Sequence, residues 1–487
     1  MVGFKCIGCN FNTELFEMLL IYFERHEVAT LADDRDFTEY EIGLSIEAVD
    51  GGYVVSVCEK GQVVASQKVD ESKEVSPAVK EMFVAPIKNS IKRTCATLLE
   101  QYTKYKAPWG IQTGVKPVKL ATMCKRRGMS DVEGADFLAK ELLIRQDKCE
   151  VLFKVAENEH KILETTPQNS YSIYVGTPFC PTICSYCSFG SYPIGAYKAC
   201  VEQYVDSVVA EARAAAKVLD SKGLTCDCVY FGGGTPTSIE ASQMDMMMSG
   251  VLEVFSPKEL TCEAGRPDSI DEEKLAVMRK NGVDRLAINP QTMKAETLRR
   301  IGRRHTPEDT VRIYELARSM GFGNINMDLI AGLEGETVED FENTLSWIKK
   351  LDPEGFTVHS LCLKRASKLM KDQRARADAK QMDAMVDAGY ALAREMGMEP
   401  YYLYRQKNAS GNLENTGFAK PGRFCRYNVL IEEETQHILG LGAGAVSKAV
   451  KDPVNLERCF NIKDPLQYIA DIDGQITKKI DFLQKMY

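Results

Sequence analysis

The stretch Tyr174-Val-Gly-Thr-Pro-Phe-Cys-Pro-Thr-Ile-Cys-Ser-Tyr-Cys-Ser-Phe189 decides how the rest of the chain is read. Cys180, Cys184 and Cys187 stand at C-x3-C-x2-C spacing in a loop that follows the apolar run Ser172-Ile-Tyr-Val-Gly. Structural zinc asks for four closed nitrogen or sulfur ligands, and this loop offers three thiols with no histidine beside them. Three thiolates suit three irons of a [4Fe–4S] cluster and leave the fourth iron without a protein ligand. Pro178, Phe179 and Tyr186 are placed to shield one side of such a cluster.

The run into the loop is the first of a series. Cys228-Val-Tyr-Phe-Gly, Leu260-Thr-Cys-Glu-Ala, Val283-Asp-Arg-Leu-Ala-Ile, Asn324-Ile-Asn-Met-Asp-Leu-Ile and Gly355-Phe-Thr-Val-His-Ser-Leu read as further strands, with amphipathic stretches between them. Thr306-Pro-Glu-Asp and Thr337-Val-Glu-Asp are helix starts, each a hydroxyl cap with an acid three residues on, the first with proline in its first turn. Six β/α units in series need parallel strands joined by right-handed crossovers. The spacing therefore predicts an α/β chain whose core, residues 166–375, is a partial (β/α)6 barrel. Ligands of such barrels sit where strands end and loops begin. The cysteine loop and Gly232-Gly-Gly-Thr-Pro236, where bare backbone could approach a ligand closely, both fall at such ends.

The flanks read differently. Residues 1–165 form an α+β domain of unassigned role, β-rich to about residue 70 with a turn at Asp50-Gly-Gly, then helical with a long amphipathic segment from Asp131 to Glu157. Residues 376–487 are expected to form a C-terminal domain over the barrel mouth, carrying Tyr401-Tyr-Leu-Tyr-Arg-Gln-Lys-Asn and the small-residue turn Gly440-Leu-Gly-Ala-Gly-Ala.

Bulk composition sets limits. The net charge of −8, from 61 basic and 69 acidic residues in 487, argues against a nucleic-acid partner. No run approaches the roughly 18 apolar residues of a membrane span, and Met1-Val-Gly-Phe-Lys lacks the apolar stretch of a secretory signal. The expectation is a cytoplasmic protein whose 16 cysteines are reduced. Most of them read as small buried hydrophobes, and Cys6-x-x-Cys9 lacks the second pair of a zinc site.

Cysteine loop and glycine run together resemble the radical S-adenosylmethionine (SAM) superfamily over roughly residues 170–375. Within it the chain is similar to the oxygen-independent coproporphyrinogen III oxidases, in a branch known as coproporphyrinogen dehydrogenases. The matching positions are Tyr174, Pro178-Phe179-Cys180, Gly232-Gly233-Gly234-Thr235-Pro236, Glu263, Gln291, Arg303 and Asp328. The resemblance implies a [4Fe–4S] cluster on the three cysteines and bound SAM. Gly232, Gly233, Gly234 and Thr235 would meet the methionine ammonium, Arg303 its carboxylate, and Glu263, Gln291 and Asp328 polar atoms of methionine and ribose, with Tyr174 and Gln291 as catalytic candidates. It further implies decarboxylation of two propionates of coproporphyrinogen III to give protoporphyrinogen IX, with electrons from a low-potential donor of flavodoxin or ferredoxin type. Arg405, Lys407, Lys420 and Arg423 are candidates to hold propionates. The oxidases carry a further cysteine where this chain has Phe189, a change shared with relatives that bind and deliver haem. A haem chaperone is therefore one alternative, and a radical SAM methyltransferase acting on haem another.

Overall fold

A computed structural model of the chain describes residues 1–23, 25–71, 86–362, 378–406, 410–450 and 455–486. The chain divides into two units: Met1–Ala156 with Ala377–Val386 and Leu403–Asn415, and Glu157–Arg376 with Asp387–Tyr402 and Thr416–Tyr487.

In the first unit, Val2–Ile7 (β1) lies between Val28–Thr30 (β2) and Ile42–Val49 (β3), parallel to both. Gly52–Glu59 (β4) and Gln62–Asp70 (β5) extend the sheet as the antiparallel meander that Asp50-Gly-Gly predicts. The β-rich reading missed the helix Asn12–Tyr22, whose Leu15 and Leu19 join Phe4, Leu44, Val55 and Leu99 in one core. The amphipathic segment 131–157 is two helices, Asp131–Leu142 and Gln146–Glu164. The break falls at Leu143, whose φ of 56° is left-handed and ends the first helix.

The second unit holds the predicted strand series. Ser170–Thr177 (β6) leads into Phe179–Cys180 (β7), which pairs with Tyr192–Pro193 (β8) and braces the cysteine loop. Thr225–Gly233 (β9), Glu259–Gly265 (β10), Arg285–Ile288 (β11), Ile325–Ala331 (β12) and Gly355–Ser360 (β13) follow. They stand side by side in the order β6-β9-β10-β11-β12-β13, and all are parallel. Helices separate them as expected, and Thr306 and Thr337 cap two of these through full capping boxes with Asp309 and Asp340.

The C-terminal stretch adds strands to the same sheet. Glu399–Arg405 (β14) and Glu414–Ala419 (β15) lie at one edge, with β15 antiparallel to β13. At the other edge His437–Leu441 (β16) runs parallel to β6, followed by Val446–Val450 (β17) and Leu456–Phe460 (β18). Between the edges, helix Arg426–Glu433 crosses the N-terminal ends of the strands: Glu259 accepts the backbone N–H of Arg426 at 3.0 Å, and Arg426 pairs with Asp227 at 2.9 Å. Much of the segment expected over the mouth thus closes the opposite end.

A buried carboxylate fastens the Gly440 turn to the barrel. Glu211, on helix Val201–Ser221, accepts the Gly442 N–H at 2.9 Å, Asn461 Nδ2 at 2.8 Å and the Tyr468 hydroxyl at 2.6 Å, and faces Lys479 Nζ at 3.3 Å. Tyr204, on the same helix, donates to the Gly176 carbonyl at 2.6 Å, which fixes the last turn of chain before the cysteine loop. Glu211→Ala leaves the Lys479 ammonium buried without its counter-charge, which costs about 3–5 kcal/mol. The expected outcome is a clear fall in the urea midpoint of the second unit, followed by circular dichroism.

Candidate functional site

Six parallel strands turn one polar or aromatic side chain each toward a common row. Tyr174 of β6 and Tyr230 of β9 are stacked, with ring centroids 6.2 Å apart and planes at 15°. The Tyr230 phenol faces Glu263 of β10. Glu263 Oε1 accepts Asn289 Nδ2, just beyond β11, at 3.4 Å, and Asn289 Oδ1 accepts the Asp328 N–H of β12 at 3.3 Å. His359 of β13 ends the row, with Nε2 3.7 Å from Asp328 Oδ2. Tyr427, from the helix at the far end of the barrel, stacks on Tyr230 at 4.7 Å and closes the row from below.

Burial splits the two carboxyls of this row. It pushes Glu263 up to about 8, reinforced by the charge of Asp328, so the group holds its proton at neutral pH. Burial also acts on Asp328, but the hydrogen bond and charge of His359, with Thr357 and Asn326, outweigh it and hold the carboxylate below its ordinary value. One site therefore presents a neutral carboxylic donor and an ionised acceptor.

Above the row lies the cysteine loop. Burial raises the Cys180 and Cys187 thiols. Thr235 donates to Cys180 Sγ at 3.3 Å, and Arg266 Nη1 reaches the Thr182 carbonyl at 2.9 Å and Cys184 Sγ at 3.9 Å. Asp268 takes Arg266 through two hydrogen bonds, at 2.9 and 2.7 Å, and so aims it at the loop. Among the described residues no three His, Cys, Asp or Glu side chains close on a single metal ion. A four-iron cluster needs no such point, because each thiolate takes a different iron. The glycine run seals the loop: a Cβ on Gly234 would stand 2.6 Å from the Phe179 carbonyl and 2.9 Å from Cys180 Sγ, and Gly233 has φ 111°. A larger residue at position 234 would displace the cysteine, and one at position 233 would run into the backbone of Thr177, 2.8 Å away.

Among the buried side-chain polar atoms without a hydrogen-bond partner, two belong to residues singled out by sequence, Gln291 and Arg303. Gln291 carries φ 68° and is locked by its N–H to the Asp328 carbonyl and by its carbonyl to the Ile330 N–H. Its side-chain Oε1 is buried and unpartnered. A left-handed glutamine is a strained conformation that surrounding structure must impose. Arg303 donates to the Asn289 carbonyl at 2.5 Å and the Tyr186 hydroxyl at 3.2 Å, while its Nε is buried without a partner. Such groups are costly unless a ligand satisfies them. Unpartnered amide and guanidinium groups, a neutral and an ionised carboxyl, and three thiols beside a tight glycine turn suit a cluster with an amino-acid sulfonium cofactor.

The structure thus gathers Tyr174, Cys180, Cys184, Cys187, Gly232 to Thr235, Glu263, Gln291, Arg303 and Asp328 in one unit. The cation candidates fare otherwise. Arg405 is buried against Trp109, and its guanidinium is consumed by the carbonyls of Gln112 and Asn412. Lys420 pairs with Asp352 at 2.8 Å, and the Arg423 carbonyl accepts from Arg285, both at the strand ends opposite the cysteine loop. Lys407 lies outside the described residues. Asn289, His359, Arg266 and Tyr427 were not singled out from sequence; a histidine within the apolar strand Gly355–Ser360 was the one available signal. Phe189 is 74% exposed at the loop's end.

The family model described as Radical SAM superfamily matches residues 174–348. The oxygen-independent coproporphyrinogen-III oxidase-like protein HemZ of Bacillus subtilis is 37% identical over 481 residues, 96% of this chain and 94% of its own. The heme chaperone HemW of the same organism is 31% identical over 286 residues, 56% of this chain and 70% of its own. Coproporphyrinogen III oxidase (HemN) from Escherichia coli shares the fold, at TM-score 0.52 and 23% identity over 66% of this chain and 73% of that one. The chain belongs to the oxygen-independent coproporphyrinogen-III oxidase-like family of radical SAM proteins, a superfamily that uses a [4Fe–4S] cluster and SAM. No helix among the described residues is long and apolar enough to cross a membrane.

Two outcomes test this geometry. Gly234→Ala is expected to displace Cys180 and cut iron bound on anaerobic reconstitution from about four per chain to below about one, measured with acid-labile sulfide. In the cofactor-free protein, folded Glu263 keeps a proton that the unfolded chain releases in the ordinary carboxylate range. Its contribution to stability is therefore fully present below that range and lost as pH rises toward about 8. Urea midpoints measured across this window should fall with pH, and Glu263→Gln should flatten the slope.

Proposed function

We propose that the chain is a radical SAM oxidoreductase that decarboxylates two propionates of coproporphyrinogen III to give protoporphyrinogen IX. One observation carries the reading: the strand-end row of β6 to β13, with its unpartnered Gln291 and Arg303 groups, opens directly beside the three-cysteine loop. The whole-length likeness to the oxidase-like relative, N-terminal unit included, supports the choice of substrate.

In this reading Cys180, Cys184 and Cys187 hold the cluster. Gly232 to Thr235 present backbone to the cofactor's ammonium, and Arg303 takes its carboxylate as a fork of fixed geometry. Asp328, kept ionised by His359, accepts hydroxyl hydrogens, and Glu263, kept neutral by burial, donates one. Gln291 fills its free Oε1 with a ligand donor, and the Tyr174 and Tyr230 rings form an apolar floor that excludes water. When bound, cluster and SAM supply one-electron hydrogen abstraction. Each round would remove one β-hydrogen atom, one CO2 and one electron from a propionate and leave a vinyl group.

Phe189 favours a second reading, haem binding, because it stands exposed where the oxidases have cysteine. Anaerobic incubation of the reconstituted chain with coproporphyrinogen III, SAM and reductant separates the two. The oxidase reading expects 5′-deoxyadenosine and two CO2 per protoporphyrinogen formed. Stoichiometric haem retention with no CO2 would replace it with the chaperone. Arg303→Lys should weaken SAM binding by about tenfold or more in equilibrium dialysis, since a lysine makes no bidentate contact.

A further inference from the structure

The turn after β10 is built to aim one side chain. Gly265 carries φ 73°, a left-handed conformation that bends the chain sharply at the strand end. The one-turn helix Pro267–Ser269 follows, and Ser269 Oγ lies 2.8 Å from the Arg266 carbonyl. Thr237 Oγ1 stands 2.6 Å from the Ala264 carbonyl and 2.7 Å from Ser269 Oγ, so the turn is fastened on both sides of Arg266.

Arg266 is buried, and its guanidinium has two faces. Nη1 points to the cysteine loop, where it donates to the Thr182 carbonyl at 2.9 Å and Thr182 Oγ1 at 2.7 Å and lies 3.9 Å from Cys184 Sγ. Nε and Nη2 turn the other way, to the two carboxylate oxygens of Asp268 at 2.9 and 2.7 Å. His305, also buried, backs Asp268 at 3.6 Å. Burial would raise the Asp268 carboxyl, yet His305 and Arg266 outweigh it and hold the group far below the usual carboxylate range. Burial lowers His305, so its ring is neutral at neutral pH. The group therefore carries one positive and one negative charge, with the positive end against Cys184.

A buried ion pair adds little net stability over neutral side chains of the same shape. It does create an oriented field, which is strong where water is excluded. Reduction potentials of iron–sulfur clusters respond to nearby charge and to hydrogen bonds at the cysteine sulfurs.

We propose that the Arg266–Asp268 pair raises the reduction potential of the cluster held by Cys180, Cys184 and Cys187, through the positive end it presents to the Cys184 sulfur. The proposal rests on the radical SAM reading of the cysteine loop. One electron enters the cluster from a one-electron reductant, and no bond is made or broken. Arg266 stabilises the negative charge this electron adds, and Asp268 is a positioning residue that fixes the guanidinium fork.

The double variant Arg266→Gln/Asp268→Asn removes both charges together, so net charge is unchanged and no buried charge is left unpaired. The test is an anaerobic redox titration of reconstituted chains with dithionite and mediators, followed by the electron paramagnetic signal of the reduced cluster, with iron counted in parallel. The double variant should hold about four irons and show a potential lower by about 59 mV, a tenfold fall in the one-electron reduction constant. Arg266→Lys keeps the charge beside Cys184 and should restore most of that shift. Equal potentials in parent and double variant would overturn the proposal. So would a double variant that cannot hold iron, since the pair would then serve the fold alone. A parent chain that binds no cluster would instead remove the reading of the cysteine loop, and the proposal with it; the iron count tells the two failures apart.

Discussion

The approach of Gly234 to Cys180 is the constraint on which the site depends. Backbone with no side chain touches the first cysteine of the loop, and any Cβ would overlap Cys180 Sγ and the Phe179 carbonyl. Two successive strand ends are joined by this contact. β6 delivers the cysteines, β9 delivers the glycine turn, and their parallel pairing sets one against the other in register, Thr177 opposite Gly233. From there each following strand adds one group to the row that ends at His359.

Electrostatics then divides the labour. A buried neutral Glu263 and a buried ionised Asp328 arise from the same depth because only Asp328 has a histidine beside it. Arg266, fixed by Asp268, places a positive charge near Cys184, where thiolates gather negative charge. The other end of the barrel is closed by unrelated chemistry. Glu259, Asp227 and Arg426 tie down the crossing helix, which sends Tyr427 upward into the aromatic stack.

Much of this was legible in sequence for physical reasons. Apolar strands bounded by helix caps fix a parallel order that leaves little freedom, so all six strands and both threonine caps appear where the pattern puts them. Asp328 stands out on its own as a polar group within an apolar strand, whereas Glu263, Gln291 and Arg303 were reached through the family resemblance. What escaped depends on contacts between residues far apart in sequence. Nothing local in Tyr401-Tyr-Leu-Tyr-Arg shows that Arg405 is spent on Gln112, 293 residues away. Nor does Lys420 reveal that β15 runs antiparallel, carrying it to the wrong end of the sheet. The helix 12–22 was hidden for a different reason: its neighbours alternate like strands, and its packing against β1, β2 and the helix Pro86–Thr103 is what distinguishes it.

The central claim is that Cys180, Cys184 and Cys187 would hold a four-iron cluster and leave one iron free of protein ligands for SAM. Mössbauer spectroscopy of the chain reconstituted anaerobically with iron-57, before and after addition of SAM, tests it most directly. The account predicts that one iron in four changes its isomer shift and quadrupole splitting when SAM binds, while three stay as they were. Four irons indifferent to SAM, or iron bound singly, would contradict it.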